Sequence, residues 1–313
     1  MKIHQLRYFA EIARSGSFSR AAQTLAIAQP ALSQNIAALE SELKTKLFDR
    51  HAKGVELSPS GRRLYERAIA LLDAFDSLKE DVSDAPARPS GRVRICIAGS
   101  LASVVTAPLL SVMLARFPDI DLKISAGMSS DARAQLESGR IHLALMPSAH
   151  ELDAMTALPL FEEHLKLFGA PCDIARLPED MSFSALADLP LALPDRAHDL
   201  RRIVERAAST LNLSLDVRYE LNSPAMLTAV AQSGLACAIM PPSACVDALA
   251  AGTLAGRAIV APELTRVQAV VWPDEHPLSG AAICVRDVIC EVVKTLAEAG
   301  QLHGRILAPG GAC

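Results

Sequence analysis

Residues 17–43, SFSRAAQTLAIAQPALSQNIAALESEL, decide how the first part of the chain folds. Leu32, Ile36, Leu39 and Leu43 recur at spacings of 4, 3 and 4, the period of one helical face. Pro30 suits the first turn of that helix, because its missing N–H would find no intrahelical partner there. Ahead of it, after Leu25, the short turn AIA separates it from a second helical stretch that Ser17 can cap by accepting backbone N–H bonds. Two helices joined so closely make a helix-turn-helix. The front of the later helix carries uncharged Gln29, Ser33 and Gln34, where an ordinary surface helix would present Glu and Lys.

Working outward, Leu6, Phe9, Ile12 and Ala13 mark one more helix on the N-terminal side, ended by Ser15-Gly16. On the C-terminal side, KTKLFDRHAKGVELSPSG alternates Val55 and Leu57 with polar residues around a Lys53-Gly54 turn. It predicts a small hairpin, a wing, with Lys46, Arg50, His51 and Lys53 clustered on it. Next, Leu64, Ala68, Leu71, Phe75, Leu78 and Val82 form an a/d seam. The seam suits pairing with a second copy, or a long helix packed on its own domain. APARPSG then breaks the helix.

From Arg92 onward, apolar strands alternate with helical stretches: VRICIAG, APLLSVMLARFP, DLKISAG, SSDARAQLESG, IHLALMP, and a second set reaching LACAIMPP. This order predicts an α/β module with a mainly parallel sheet, in two halves around a ligand-sized cleft.

The chain of 313 residues is 50% hydrophobic and 21% charged, which suits two or three filled cores. Residues 1–67 hold 11 Lys/Arg against 6 Asp/Glu, a balance of +5; with −4 overall, the remainder carries −9. A basic module on an acidic body fits a polyanion partner at one end. Nothing resembles a signal peptide and no run approaches a membrane span, so the expectation is a soluble, cytoplasmic protein without membrane contact. Seven cysteines, Cys96, Cys172, Cys237, Cys245, Cys284, Cys290 and Cys313, show neither Cys-x-x-Cys pairs nor zinc spacing. No metal or cofactor is expected. Gly-x-Ser-x-Gly, phosphate-loop, Gly-x-Gly-x-x-Gly and His-Glu-x-x-His patterns are absent from the sequence, which disfavours an enzyme.

The uncharged front of the helix has a chemical use. Gln pairs bidentately with adenine, and Ser both donates and accepts, so Gln29, Ser33 and Gln34 suit base edges in a major groove. The same residues would also serve an ordinary capping turn; the preceding helix, short turn, basic hairpin and seam favour DNA. Farther on, IAGSLAS and AGMSSDA place Ser100 and the Ser129-Ser130 pair just after strands and ahead of helices. Each suits either an N-cap or an anion site.

At this point LRYFAEIARSGSFSRAAQTLAIAQPALSQNIAALESEL, LFDR and GVELSPSG resemble the helix-turn-helix and wing of LysR-type transcriptional regulators, in order and spacing. IAQPALSQ is similar to the nitrogen-assimilation-control branch, and LADLPLALP and GLACAIMPPSA resemble the family's effector-binding module. The resemblance implies an all-α winged helix-turn-helix over 1–60, a long linker and dimerisation helix with a hinge over 61–90, and a periplasmic-binding-protein-like α/β module over 91–305. Subdomain I would be about 91–163 and 267–305, and subdomain II about 164–266.

By the same resemblance, Gln29, Pro30, Ser33 and Gln34 would read bases in double-stranded operator DNA, Arg50 and Lys53 would hold phosphates, and Ser100, Ser129, His198 and Asn222 would line a cleft for a small effector, an organic anion. It also implies dimers and tetramers, with RNA polymerase as a further partner. Ala28, Thr45, His142 and Ala236 depart from the family pattern, the first where a capping Ser is common. Two rival readings stay open: a redox sensor using Cys237 and Cys245, and an enzyme with an appended DNA-binding domain.

Overall fold

In the computed structural model, α1 (Ile3–Ser15), α2 (Phe18–Thr24) and α3 (Gln29–Leu43) are followed by an antiparallel hairpin of β1 (Phe48–His51) and β2 (Gly54–Leu57), then by α4 (Pro59–Asp81). Residues 1–51, 54–81, 88–147, 154–274 and 277–307 are described, except for the side chains of residues 50, 66, 70, 73, 74 and 76–81. The chain divides near Ala87 into two compact units.

The N-terminal unit closes around Leu6, Phe9, Ile12, Phe18, Ala21, Leu32, Ile36, Leu39, Leu47 and Phe48, all buried. Phe48 brings the hairpin in, its ring 5.2 Å from that of Phe9 and 5.8 Å from that of Phe18. Each such fully buried large side chain contributes about 1.5–3 kcal/mol. The hairpin also docks by backbone, Val55 N–H donating to Gly16 O at 3.1 Å. A Cβ on Gly54 would lie 2.8 Å from that same carbonyl, and Gly54 has φ +140°, so glycine is required twice over. Ser58 caps α4 through Gly61 N–H at 3.0 Å.

One expectation needs correction here. Leu43 does not hold α3 to its domain: it is 38% exposed, and the core seam ends at Leu39. Along α4 the residues buried on this core are Ala68 and Leu72, with Leu64, Tyr65 and Ile69 partly buried beside them; Leu71 of the predicted seam is 50% exposed. The side chains of Leu78 and Val82 lie outside the described residues.

The second unit runs β3 (Gly91–Ala98), α5 (Gly99–Arg116), β4 (Ile120–Gly127), α6 (Ser129–Glu137), β5 (Leu143–Pro147) and β6 (Met155–His164). It continues through β7 (Lys166–Gly169), α7 (Pro171–Ile174), β8 (Asp180–Ser182), β9 (Leu191–Leu193), α8 (Asp199–Thr210) and β10 (Val217–Glu220). The remaining elements are α9 (Pro224–Gln232), β11 (Cys237–Met240), α10 (Val246–Ala250), β12 (Ala255–Val260), β13 (Thr265–Pro273), α11 (Gly280–Glu298) and β14 (Gly304–Ile306).

Two six-stranded sheets result, ordered β14-β6-β13-β5-β3-β4 and β10-β9-β11-β7-β12-β8. In the first, Val93, Ile95 and Ile97 face α5 and α11, while Cys96 and Ala98 face α6, so both surfaces are buried and the strand reads as one apolar run. Both sheets are mixed: in the first, β3 pairs parallel with β4 and β5 whereas β13 pairs antiparallel with β5 and β6, and in the second, β9 pairs parallel with β10 and β11 and β8 with β12 whereas β7 pairs antiparallel with β11 and β12. The chain crosses between sheets twice, from β6 to β7 and from β12 to β13, and Leu165 N–H donates to Leu264 O at 2.8 Å between the crossings. Strands β6, β8, β12 and β14 escaped the sequence reading. Pro159 argues against a strand in β6, but it lies where the β6–β13 register shifts, which relieves the ladder of its missing N–H.

A further correction concerns α5, an 18-residue helix with mean hydropathy 1.4, long and apolar enough in composition to cross a bilayer. Its Leu101, Val105, Leu109 and Met113 are buried against the first sheet and α11. Packing of that face in an α/β layer accounts for part of the composition, while Leu110 and Leu114 of the same helix are exposed.

Candidate functional site

The first candidate surface is the front of α3. Burial of Leu32, Ile36 and Leu39 fixes the helix's rotation, leaving Gln29, Pro30, Ala31, Gln34, Ala37 and Ala38 exposed and Ser33 half-buried. From Gln29 to Ala38 the exposed face is therefore uncharged and, apart from the two amides, made of small side chains; the exposed Glu42 lies in the last turn. Ser19 Oγ donates to Gln29 Oε1 at 3.0 Å, orienting that amide with its NH₂ still available. Ala28 adopts the extended N-cap conformation, φ −68° and ψ 134°, without a side-chain acceptor for the helix's first N–H groups. Its departure from the family pattern thus leaves those donors without a side-chain cap.

The basic hairpin is less free than its composition suggests. Lys46 Nζ donates to Glu40 Oε2 at 2.9 Å, while Glu40 Oε1 accepts from Leu47 N–H at 2.8 Å. Burial pushes the Glu40 carboxyl up, but the Lys46 and backbone bonds outweigh it and hold the pKa below 4.5. His51 Nε2 lies 3.7 Å from Glu56 Oε2. Arg50 lies on β1 with its side chain outside the description, and Lys53 lies outside the described residues.

The second candidate is a cavity of about 980 Å³ between the two sheets of the C-terminal unit, within the range that holds small metabolites. Ser100, Ser129, His198 and Asn222 all line it. Ser100 is buried at the start of α5, and Ser129 opens α6. His198 caps α8, its Nδ1 accepting from Leu200 N–H at 3.1 Å. Burial first, then the positive charge of Arg266, lowers its pKa from 6.5. A neutral ring with Nδ1 accepting carries its hydrogen on Nε2, a donor.

Asn222 lines the cavity and is also bonded to Asp195. Its Oδ1 accepts from Asp195 N–H at 2.9 Å and its Nδ2 donates to Asp195 Oδ2 at 2.6 Å. Asp195 in turn receives the N–H groups of Ala197 and His198 at 2.9 and 3.2 Å. Asn222 therefore braces the loop that presents His198.

Sequence reading missed the group at the back of the cavity. Arg266, 6% exposed, donates from Nε to Glu163 Oε1 at 2.6 Å and from Nη2 to Ser100 Oγ at 2.9 Å. Glu163, 1% exposed, also accepts from Gln268 Nε2 at 2.6 Å and Ser243 Oγ at 3.3 Å. These residues lie beside the crossings between the sheets, on β6, β13, α5 and the turn after β11. They are far apart in sequence, and strand alternation alone marks none of them.

The two thiols of the redox reading behave as core groups, whereas Cys172 is exposed. Cys237 and Cys245 are buried, and burial pushes both up, Cys245 to about 12. Among the described residues no cluster of three His, Cys, Asp or Glu could hold a metal. His142, paired with Arg94 across the sheet, and the core residue Ala236 are not cavity residues.

Residues 3–62 match the model of the bacterial regulatory helix-turn-helix protein, LysR family, and residues 86–294 match the LysR substrate binding domain. The nitrogen assimilation regulatory protein Nac of Escherichia coli K12 is 30% identical over 94% of this chain and 96% of its own length. BbuR of Bordetella bronchiseptica, an HTH-type transcriptional regulator, is 27% identical over 98% and 94%. Among solved structures, a full-length OxyR variant from Pseudomonas aeruginosa superposes with a TM-score of 0.72 at 22% identity, covering 94% of this chain and 95% of that one. CbnR complexed with its target DNA gives 0.54 at 19% identity, covering 94% and 100%.

Proposed function

Because the chain belongs to the LysR family of DNA-binding transcriptional regulators with a C-terminal effector-binding domain, we propose specific roles for its two candidate surfaces. In this reading α3 enters the major groove: Gln29, Ser33 and Gln34 discriminate bases, Pro30 packs on a thymine methyl, and small Ala37 permits close approach. Arg50 and Lys53 hold phosphates, which position the module without reading sequence. The observation that carries this is the uncharged exposed face of α3 from Gln29 to Ala38, rotated into place by buried Leu32, Ile36 and Leu39.

In the C-terminal module a small organic anion binds the cleft, met by Ser100, Ser129 and the His198 Nε2–H, while Asn222 holds the His198 loop. The chain acts in the cytoplasm as a tetramer of two dimers, joined through α4, and contacts RNA polymerase at the promoter. It is a regulator and not a catalyst. Ligand binding shifts the populations of tetramer shapes and hence the bend imposed on DNA. The domain limits 1–60, 61–90 and 91–305 assign α4 to dimerisation. A redox sensor using Cys237 and Cys245 would need accessible low-pKa thiolates, and both thiols are buried with raised pKa.

Gln34→Ala costs about 1–3 kcal/mol on the specific site and relaxes preference there, whereas Lys53→Ala weakens all duplexes alike. Fluorescence-anisotropy titrations on specific and random DNA measure both. Equal losses on the two duplexes for both variants would overturn these roles. Thermal unfolding across a metabolite panel tests the cleft, since a ligand that binds only the folded chain raises its stability.

A further inference from the structure

Arg266 lines the cavity with only 6% of its surface exposed. Two of its nitrogens are committed, Nε to Glu163 and Nη2 to Ser100; among the described residues Nη1 has no hydrogen-bond partner. That edge is not sealed in the core: Arg266 lines the cavity, and among the described residues the one buried side-chain polar atom without a partner is Gln268 Oε1, so a ligand in the cavity can reach Nη1. The first turn of α5 lies at the same place, because the hydroxyl bound to Nη2 belongs to Ser100, in a helix with no side-chain cap. Free N–H groups at a helix start add partial positive charge. His198 feels the Arg266 charge, so it too stands within electrostatic reach of this end of the cavity.

Opposing charges are present and differently placed. Asp131 and Asp247 line the cavity from the first turns of α6 and α10, but both are exposed and so strongly screened by water. Glu163 is buried, yet its two oxygens are shared among Arg266, Gln268 and Ser243, and its carboxylate serves to hold the guanidinium plane.

We infer that Arg266 reads the charge of the ligand: its open Nη1 edge, with the start of α5, binds one oxyanionic group of the molecule in the cleft, and Glu163 positions it. This rests on the reading of the cleft as the effector site. It deepens that reading by assigning the recognition of the anionic group to one residue. The oxyanion is either a carboxylate or a tetrahedral sulfate-like group, and Arg presents donors to both. Because Arg266 also bonds Ser100 at the start of α5, while Glu163 bonds Ser243 in the turn after β11, the bound anion connects directly to groups beside the two crossings.

The test uses the purified full chain at fixed ionic strength, with succinate, succinamide and inorganic sulfate as probes and the thermal unfolding midpoint as readout. Wild type gains about 2–4 °C from an oxyanion at several times its Kd and nothing from succinamide. Arg266→Gln loses the gain, and so does Glu163→Gln/Arg266→Gln, which leaves no unpaired charge in this cluster if the single variant fails to fold. Whether succinate or sulfate acts identifies the oxyanion class. An equal gain from succinamide, or an undiminished gain in both variants, overturns the assignment while leaving a ligand-binding cleft intact. No gain from either anion in wild type also overturns it, and the metabolite panel then tests the cleft independently.

Discussion

His198 shows how one residue joins folding to the cleft. Its Nδ1 caps α8, and that bond requires an unprotonated nitrogen. Burial and Arg266 hold its pKa below 6.5, so on acidification the unfolded chain takes up this proton first. The stabilisation is therefore present above pH 6.5 and is lost as the pH falls from there toward the folded pKa. His198→Asn keeps a cap acceptor but does not titrate. Wild type should lose more stability between pH 7 and 5 than the variant, measured by urea unfolding; parallel pH profiles would contradict it. Ser100 was legible as an anion-site candidate from its place between strand and helix, His198 only through the family resemblance, and Arg266 was not legible at all. In PELTRVQAVVWP it looks like any alternating polar position, and its partner Glu163 is 103 residues away. Leu43 was misread because periodicity marks a face but not where the core beneath it stops.

Elements with a strong local signal were read correctly. The helices of the N-terminal unit carry their 3.6-residue period, turn residues and caps within a few positions, as Ser17 accepting Arg20 N–H illustrates. The strands that the sequence did not reveal carry little: β8 and β14, at the sheet edges, have three residues each, and β6 contains a proline. Their existence depends on partners supplied from distant parts of the chain. Helix α4 makes the same point, since one apolar pattern served two faces. Ala68 and Leu72 are committed to the N-terminal core, which leaves Leu71 exposed. If α4 pairs with a second copy, Leu71→Asp lowers the mass seen by light scattering while changing the stability of the isolated fold by no more than about 0.5 kcal/mol. An unchanged mass would remove Leu71 from the dimer contact.

For the molecule as a whole, the basic balance of residues 1–67 and the acidic balance of the rest correspond to two kinds of chemistry, one suited to a polyanion and one holding a small-ligand cavity. Alternation of strands and helices made the α/β class legible, but it overstated parallel pairing, because antiparallel β6 and β13 return the chain between sheets. The central claim is that α3 reads DNA sequence through uncharged side chains. In vitro selection from a random duplex pool tests it most directly, with wild type and Gln34→Ala run side by side. The account predicts a motif of two half-sites spaced by whole helical turns, with the variant losing preference at one position in each half-site. Recovery of no motif by wild type, or of an identical motif by the variant, would contradict it.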